Sequence, residues 1–270
     1  MSDLKVTISG AGGRMGAANI RAVSETPGLT LHAAFDRPGS AAVGRDAGEY
    51  AGVGALGISI GDDAEAALAG ADAIIDFSAP ASSVALAKFA ASRGLIHVIG
   101  TTGCSADDEI AIRTAALNGA RIVKSGNFSL GVNVLVGLVK QAAKALPGFD
   151  VEILEMHHNR KVDAPSGTAL MLGQAAAEAR GIDLNQNAVR QRDGHTGPRV
   201  HGKIGFAALR GGGVVGEHTV YLVSETERIE LTHRASDRAM FASGAAQAAI
   251  WARGKGTGYY SMADVLGFTE

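Results

Sequence analysis

Between Glu155 and Leu170 the chain reads EMHHNRKVDAPSGTAL, which gathers two adjacent histidines, a lysine and a Pro-Ser-Gly-Thr turn. Imidazole titrates at about 6.5 when unperturbed, close to working pH, so a histidine here suits general acid–base chemistry. The turn offers something different. Pro165 fixes its own φ and keeps Ala164 extended. Ser166 is placed to cap a following helix. The amides of Ser166, Gly167 and Thr168 are then expected to point outward from a helix start, an anion site to which Lys161 adds a full positive charge. Lysine, backbone amides and a threonine hydroxyl together suit a carboxylate. Neighbours on a strand face opposite sides, so one of His157 and His158 is expected to face reacting atoms and the other the sheet or a second ligand group. Each feature has a plainer reading: most His-His pairs fill a core or a surface, and most Ser-Gly-Thr turns are only caps. The convergence of three donor types on one loop favours chemistry.

That loop needs a scaffold. Val151–Met156 alternates as a strand does, and the Ala-, Leu- and Gln-rich run from Thr168 to Arg180 suits a helix. Ligands are usually met on such scaffold-held loops.

A second candidate lies at the start. Leu4–Ser9 is a short apolar strand that runs into Gly10-Ala11-Gly12-Gly13-Arg14-Met15-Gly16, and a helix follows to about Val23. Strand, glycine turn and helix form the context of a dinucleotide fingerprint, although the spacing fits G-x-x-G-x-x-G through Gly10, Gly13 and Gly16 better than the strict form. A tight turn without ligand is the plainer alternative. Support comes from Leu29–Phe35, a strand that ends in Asp36-Arg37. Asp36 is placed to accept the ribose hydroxyls of NAD, and Arg37 to meet the 2′-phosphate of NADP. A unit charge pair about 4 Å apart at an effective dielectric of 20 is worth roughly 4 kcal/mol, so Arg37 can offset much of the repulsion Asp36 presents to that phosphate. Use of both NADH and NADPH is expected.

Further along, strands at Ala73–Phe77, Leu95–Ile99 and Arg121–Lys124 alternate with helices. This pattern argues a Rossmann-like, doubly wound parallel sheet, with ligands beyond the carboxyl ends of its strands. Phe77–Pro80, Gly100-Thr101-Thr102 and Ser125-Gly126-Asn127-Phe128 are such ends. After Pro147-Gly148 the character changes. Val151–His157, Lys203–Leu209, Val214–Val223 and Arg228–Arg234 read as a mostly antiparallel sheet of a second, α+β domain. The expected division is residues 1–128 for cofactor binding and 129–238 for substrate binding and oligomerisation. Helices within about 239–270 are expected to return to the first domain.

Composition narrows the class. The chain has 270 residues, a formal net charge of −2, 46% hydrophobic residues and one cysteine, Cys104. The charge gives no reason to expect a nucleic-acid surface or an anionic membrane. A single cysteine builds no intrachain disulfide and fits a reducing cytosol. No run of about 18 apolar residues and no signal-peptide pattern is visible, so a cytoplasmic protein is expected.

At this point the residues resemble the 4-hydroxy-tetrahydrodipicolinate reductase (dihydrodipicolinate reductase) family. The likeness rests on GAGGRMG at 10–16, GTTG at 100–103, SGNFS at 125–129, E-x-H-H-x-x-K-V-D-A-P-S-G-T-A at 155–169 and VGEHTV at 215–220. The resemblance implies NAD(P)H-dependent reduction of a cyclic imine dicarboxylate in the diaminopimelate and lysine pathway. It implies His157 as proton donor and acceptor, Lys161 as a second acid, and His158, Gly167 and Thr168 as substrate contacts. Gly10–Met15, Asp36, Arg37, Gly100–Thr102 and Ser125–Phe128 become nicotinamide-cofactor contacts, and a homotetramer built through the second sheet is implied. Asp36 departs from the glutamate frequent in the family. Other readings are a dehydrogenase with Cys104 as nucleophile, and a cofactor sensor that would not need His157 and Lys161. A metal site is not expected, because no pair among His157, His158, His195, His201, His218 and His233 has the helical spacing of a zincin.

Overall fold

The computed structural model describes residues 2–268. In chain order the first elements are β1 (Leu4–Ser9), α1 (Arg14–Glu25), β2 (Leu29–Phe35), α2 (Ala47–Ala51), β3 (Ile60–Gly61), α3 (Ala64–Leu68), β4 (Ala73–Asp76), α4 (Pro80–Arg93), β5 (Ile96–Ile99), α5 (Ala106–Leu117) and β6 (Arg121–Lys124). The next are α6 (Leu130–Ala145), β7 (Asp150–His157), α7 (Gly167–Ala179), α8 (Leu184–Asn187), β8 (Ala188–Val189), β9 (Ile204–Arg210), β10 (Gly216–Val223) and β11 (Arg228–Ala235). The chain closes with α9 (Ala239–Ala252), β12 (Gly258–Tyr260) and α10 (Met262–Val265). It divides into two compact units, residues 1–130 with 239–270, and residues 131–238.

The first unit is built on a sheet of order β12-β6-β5-β4-β1-β2-β3 whose strands all run parallel. Its central strands are mostly apolar (Ile74, Ile75, Ile96, Val98 and Ile99 are all buried), as expected when both faces are covered, with buried Asp76 and His97 as the polar exceptions in β4 and β5. Strand order reverses around β1, which pairs with β2 on one side and β4 on the other. That reversal opens a crevice at the carboxyl ends of those strands. Helix α9 packs on α1 and on the sheet. Gly244 in α9 is held as glycine by close approach, since a Cβ there would collide with the Phe128 carbonyl.

The second unit is a five-stranded sheet of order β11-β10-β7-β9-β8. It is mixed: β10 is antiparallel to both β7 and β11, whereas β7–β9 and β8–β9 are parallel. Lys203–Leu209, grouped from sequence with the antiparallel strands, is β9 and pairs in parallel on both sides. The β7–β9 pair can be parallel because a long crossover through α7 and α8 joins the two strands. One face, with Ile153, Phe206, Val220 and Leu222, packs with Leu135 and Val139 of α6 and Leu172 of α7 in a single core. Among the described residues, no helix is long and apolar enough to cross a membrane.

Candidate active site

On the packed face of the second sheet the side chains change from apolar to titratable over one row. Ile153, Val220 and Leu231 give way to Glu155 on β7, His218 on β10 and His233 on β11, which lie opposite one another in register. The next residue on that face of β7 is His157. A carboxylate in such a place must be fully paired, and Glu155, with no side-chain exposure, is. Its Oε2 accepts from His157 Nδ1 at 2.6 Å and Arg210 Nη1 at 2.8 Å. Its Oε1 accepts from Arg210 Nη2 at 2.9 Å and the Ser166 amide at 3.1 Å. Burial pushes the Glu155 carboxyl upward, but the hydrogen bonds and charges of Arg210 and His157 outweigh it and hold the group below its ordinary range. With Nδ1–H donated to Glu155, proton exchange by His157 falls to Nε2. That nitrogen lies beside Gly216, where an added Cβ would come within 3.0 Å of it.

Ser166 does cap α7, its Oγ accepting from the Ala169 amide at 3.2 Å. It does not offer its polar groups to a ligand as expected. Its amide is spent on Glu155, and its hydroxyl meets His218 Nε2 at 3.0 Å inside a site where Ser166 is 2% exposed. The outward-facing part of the helix start is therefore Gly167 and Thr168; open space surrounds the position of a Gly167 Cβ. Lys161 reaches both oxygens of Asp163, at 2.7 and 2.8 Å, and this pair depresses the Asp163 pKa. His158 faces away from His157, as strand alternation requires, and its Nε2 accepts from Arg238 at 3.3 Å. Burial first, and then Arg160 and Arg238, lower its pKa.

His218 of β10 lies directly opposite Glu155. It is buried, stands edge-on to His157 with ring centroids 5.1 Å apart, and has its pKa lowered to about 4 by burial first and His157 second. The folded state thus resists a proton that the unfolded chain accepts at about 6.5, so stability is retained above that pH and lost as pH falls toward about 4. Lowering pH from 7 to 5 is expected to cost about 2 kcal/mol through this group alone. Denaturant midpoints at the two pH values check this: the difference is expected to shrink in His218→Gln.

In the first unit, Gly10 has φ of +73° and Gly16 has Gly10 and Ala11 backbone where a Cβ would stand. Only glycine lets the chain turn and return this closely. Helix α1 starts at Arg14 with Gly13 as N-cap, no side-chain cap and no acidic residue in its first turn. Its first amides are thus left for an external anion. Asp36 Oδ2 accepts from the Gly12 amide at 2.7 Å and from Ser40 Oγ at 3.2 Å, and its Oδ1 accepts from the Arg37 amide at 2.7 Å. A cleft of about 580 Å³ is lined by Gly10, Gly12, Gly13, Asp36, Arg37, Ser40 and the Phe77–Ala79 loop. These features fit a dinucleotide: room, an uncapped helix start for phosphate and a carboxylate for ribose. Thr101 is buried and its Oγ1 accepts from the Ser78 amide at 3.0 Å. Thr102 is exposed, Gly100 lies against the Phe77 ring, and Ser125 Oγ accepts from the Asn127 amide at 3.2 Å. Phe128 is 1% exposed and lies tilted against the Phe77 ring, so its ring belongs to the core. Beneath these loops Asp76 is buried and accepts from Ser78, Ser83 and His97. Sequence reading missed Ser40, Asp76, Glu155 and Arg210, of which only Glu155 carried a signal: an acidic residue on the inward side of an alternating strand.

Family models described as dihydrodipicolinate reductase, N-terminus and C-terminus, match residues 4–128 and 131–266. The chain belongs to the dihydrodipicolinate reductase family. Within that family it is 59% identical to the 4-hydroxy-tetrahydrodipicolinate reductase of Rhizobium rhizogenes over 273 residues, covering 100% of this chain and 99% of that one. It is likewise 59% identical to the reductase of the same description from Allorhizobium ampelinum, covering 99% of each. The fold matches that of a dipicolinate-bound dihydrodipicolinate reductase from Paenisporosarcina sp. TG-14 with a TM-score of 0.78, at 22% identity over 96% of this chain and 97% of that one. A structural likeness of TM-score 0.59 and 16% identity, over 99% of this chain and 91% of the other, extends to GenD2 from gentamicin A biosynthesis in complex with NAD.

Proposed function

We propose that the chain reduces 4-hydroxy-tetrahydrodipicolinate to tetrahydrodipicolinate with loss of water, at the expense of a reduced nicotinamide dinucleotide, as a step of diaminopimelate and lysine biosynthesis. The observation that carries this reading in the structure is the pairing of His157 Nδ1 with buried Glu155, next to the Gly167–Thr168 helix start. A proton donor and a carboxylate cradle belong to one loop, as an imine dicarboxylate requires. A reduced nicotinamide cofactor, when bound, would supply the hydride for ring C4 once water has left. Electrons then move toward the ring nitrogen, and the resulting enamine takes a proton from His157 Nε2. Lys161, released from exposed Asp163, and the amides of Gly167 and Thr168 hold a carboxylate, with Thr168 Oγ1 and His158 as further contacts. Positioning of this kind lowers a barrier by several kcal/mol. Lys161 is the second acid.

Gly10, Ala11, Gly12, Gly13, Arg14 and Met15 would hold the pyrophosphate and Asp36 the ribose, with the Gly100–Thr102 and Ser125–Phe128 loops as the remaining cofactor contacts. Phe128 contributes backbone only, because its ring is buried. Both NADH and NADPH serve, since exposed Arg37 stands beside Asp36. Replacing Arg37 with alanine is expected to raise KM for NADPH about tenfold, the worth of one charge-assisted hydrogen bond, and to leave KM for NADH nearly unchanged. Equal effects on both would remove Arg37 from this role.

The unpacked face of the second sheet carries Met156, Leu209 and Tyr221, with Leu209 49% exposed. Exposed apolar surface of this kind supports self-association through that sheet, as a homotetramer. The single cysteine and the biosynthetic reaction favour the cytoplasm. A spectrophotometric assay tests the reading, with substrate formed in situ from pyruvate and aspartate semialdehyde. Reduced cofactor is consumed only when the imine is present; oxidation indifferent to the imine would favour a different activity.

A further inference from the structure

The mechanism so far uses His157, Lys161 and the start of α7, and leaves unexplained why a carboxylate is buried between them. We infer that Glu155 is the positioning residue of this site, and that its one carboxylate locks the acid and the anion cradle into a single frame. This rests on the reductase reading above and assigns a role that His157 and Lys161 do not fill.

The geometry carries the inference. Three residues supply four donors to the two Glu155 oxygens, and each residue belongs to a different part of the site. His157 Nδ1–H at 2.6 Å fixes the ring of the acid. The Ser166 amide at 3.1 Å fixes the residue that caps α7, and hence the direction of the Gly167 and Thr168 amides. Arg210 grips both oxygens and, with the same Nη2, donates to the Asp163 carbonyl at 2.7 Å, tying in the loop that carries Lys161. A cap alone needs only a hydroxyl, and a core position needs only an apolar side chain. A buried anion costs much more than either and is worth retaining where its charge is used. Its use here is twofold. Carboxylate on Nδ1–H selects the tautomer in which Nε2 exchanges the proton, and negative charge favours the imidazolium that the reaction must hold before the enamine forms. The charged and titratable groups around the pair are Arg210 from β9, His218 from β10, His233 from β11, and Lys161 and Asp163 from the loop after β7. Of the acidic groups, Glu155 is the one bonded to the ring.

The test is Glu155→Gln in the full chain. Glutamine keeps the shape and one acceptor for Nδ1–H but removes the charge. kcat is expected to fall about five- to tenfold, the difference between an ionic and a neutral hydrogen bond. The loss falls on kcat with the imine more than on KM, because the missing charge acts on the step in which the ring gives up its proton. NADH affinity, a property of the other unit, stays the same. A merely structural role would lower the amount of folded enzyme and leave kcat per folded molecule unchanged. Nitrogen NMR of His157 in the unsubstituted enzyme, assigned with His157→Gln, gives a second readout that does not need the variant to fold. Neutral His157 is expected to carry its proton on Nδ1. A normal kcat per folded molecule in Glu155→Gln, or a neutral ring protonated on Nε2, overturns the inference. An unsubstituted enzyme that does not reduce the imine overturns the reductase reading instead, while the tautomer measurement still decides the role of Glu155.

Discussion

Replacing His157 with glutamine is expected to lower kcat about 100-fold, at the low end of general-acid effects, with little change in KM for the imine. Glutamine can keep a hydrogen bond to Glu155 in place of Nδ1–H, so the frame around the site survives. What it cannot do is bind and release a proton at the position of Nε2. The low end applies because the other contributions remain: the hydride donor, the carboxylate cradle and Lys161 are untouched. Steady-state kinetics with substrate formed in situ measure both constants. A near-normal kcat would take His157 out of the acid role. A matched loss in KM alone would make it a binding group, because an interaction made equally in ground and transition states leaves kcat alone.

Gly16→Ala is expected to have the second largest effect, and on the other unit. The added Cβ would stand against the Gly10 carbonyl and the Cα and carbonyl of Ala11, all main-chain atoms that cannot rotate aside. Overpacking of buried structure costs about 1–3 kcal/mol, and a clash with three main-chain atoms belongs at the upper end of that range. A loss of about 3 kcal/mol lowers Tm by roughly 6–12 °C in a chain of this size. The glycine turn has to open for the extra atom, so the first amides of α1 turn away from the pyrophosphate. NADH and NADPH are expected to weaken together, unlike the split produced by Arg37→Ala. Calorimetry with and without cofactor reads both effects; unchanged cofactor affinity would show that the turn does not cradle phosphate.

Much of this was legible because it is local. The glycine turn declares itself within a few residues, since strand, turn and helix are contiguous and Gly16 is required by its own neighbours. Ser166 was legible as a cap for the same reason. Its burial was not, because that comes from Glu155 and from His218, brought over by the β7–β10 pairing. Glu155 reads in sequence as one polar member of an alternating strand. What makes it functional is Arg210, supplied by β9, which the alternation could not show to be parallel to β7. The edge strand Gly258–Tyr260 escaped notice because three residues carry no periodicity and its register comes from β6. Phe128 belongs to a loop correctly placed at a strand end, yet its ring turned inward against Phe77, a choice made by packing.

The central claim is that hydride from the cofactor and a proton from the His157 loop meet on one ring. Turnover with deuterium-labelled reduced cofactor in ordinary water, and with unlabelled cofactor in heavy water, followed by NMR of the product, tests it most directly. The account predicts the cofactor's deuterium at ring C4 and a solvent deuteron at the adjacent enamine carbon, the second arriving more slowly in His157→Gln. Label from the cofactor at any other position, or solvent uptake unaffected by His157→Gln, would contradict it.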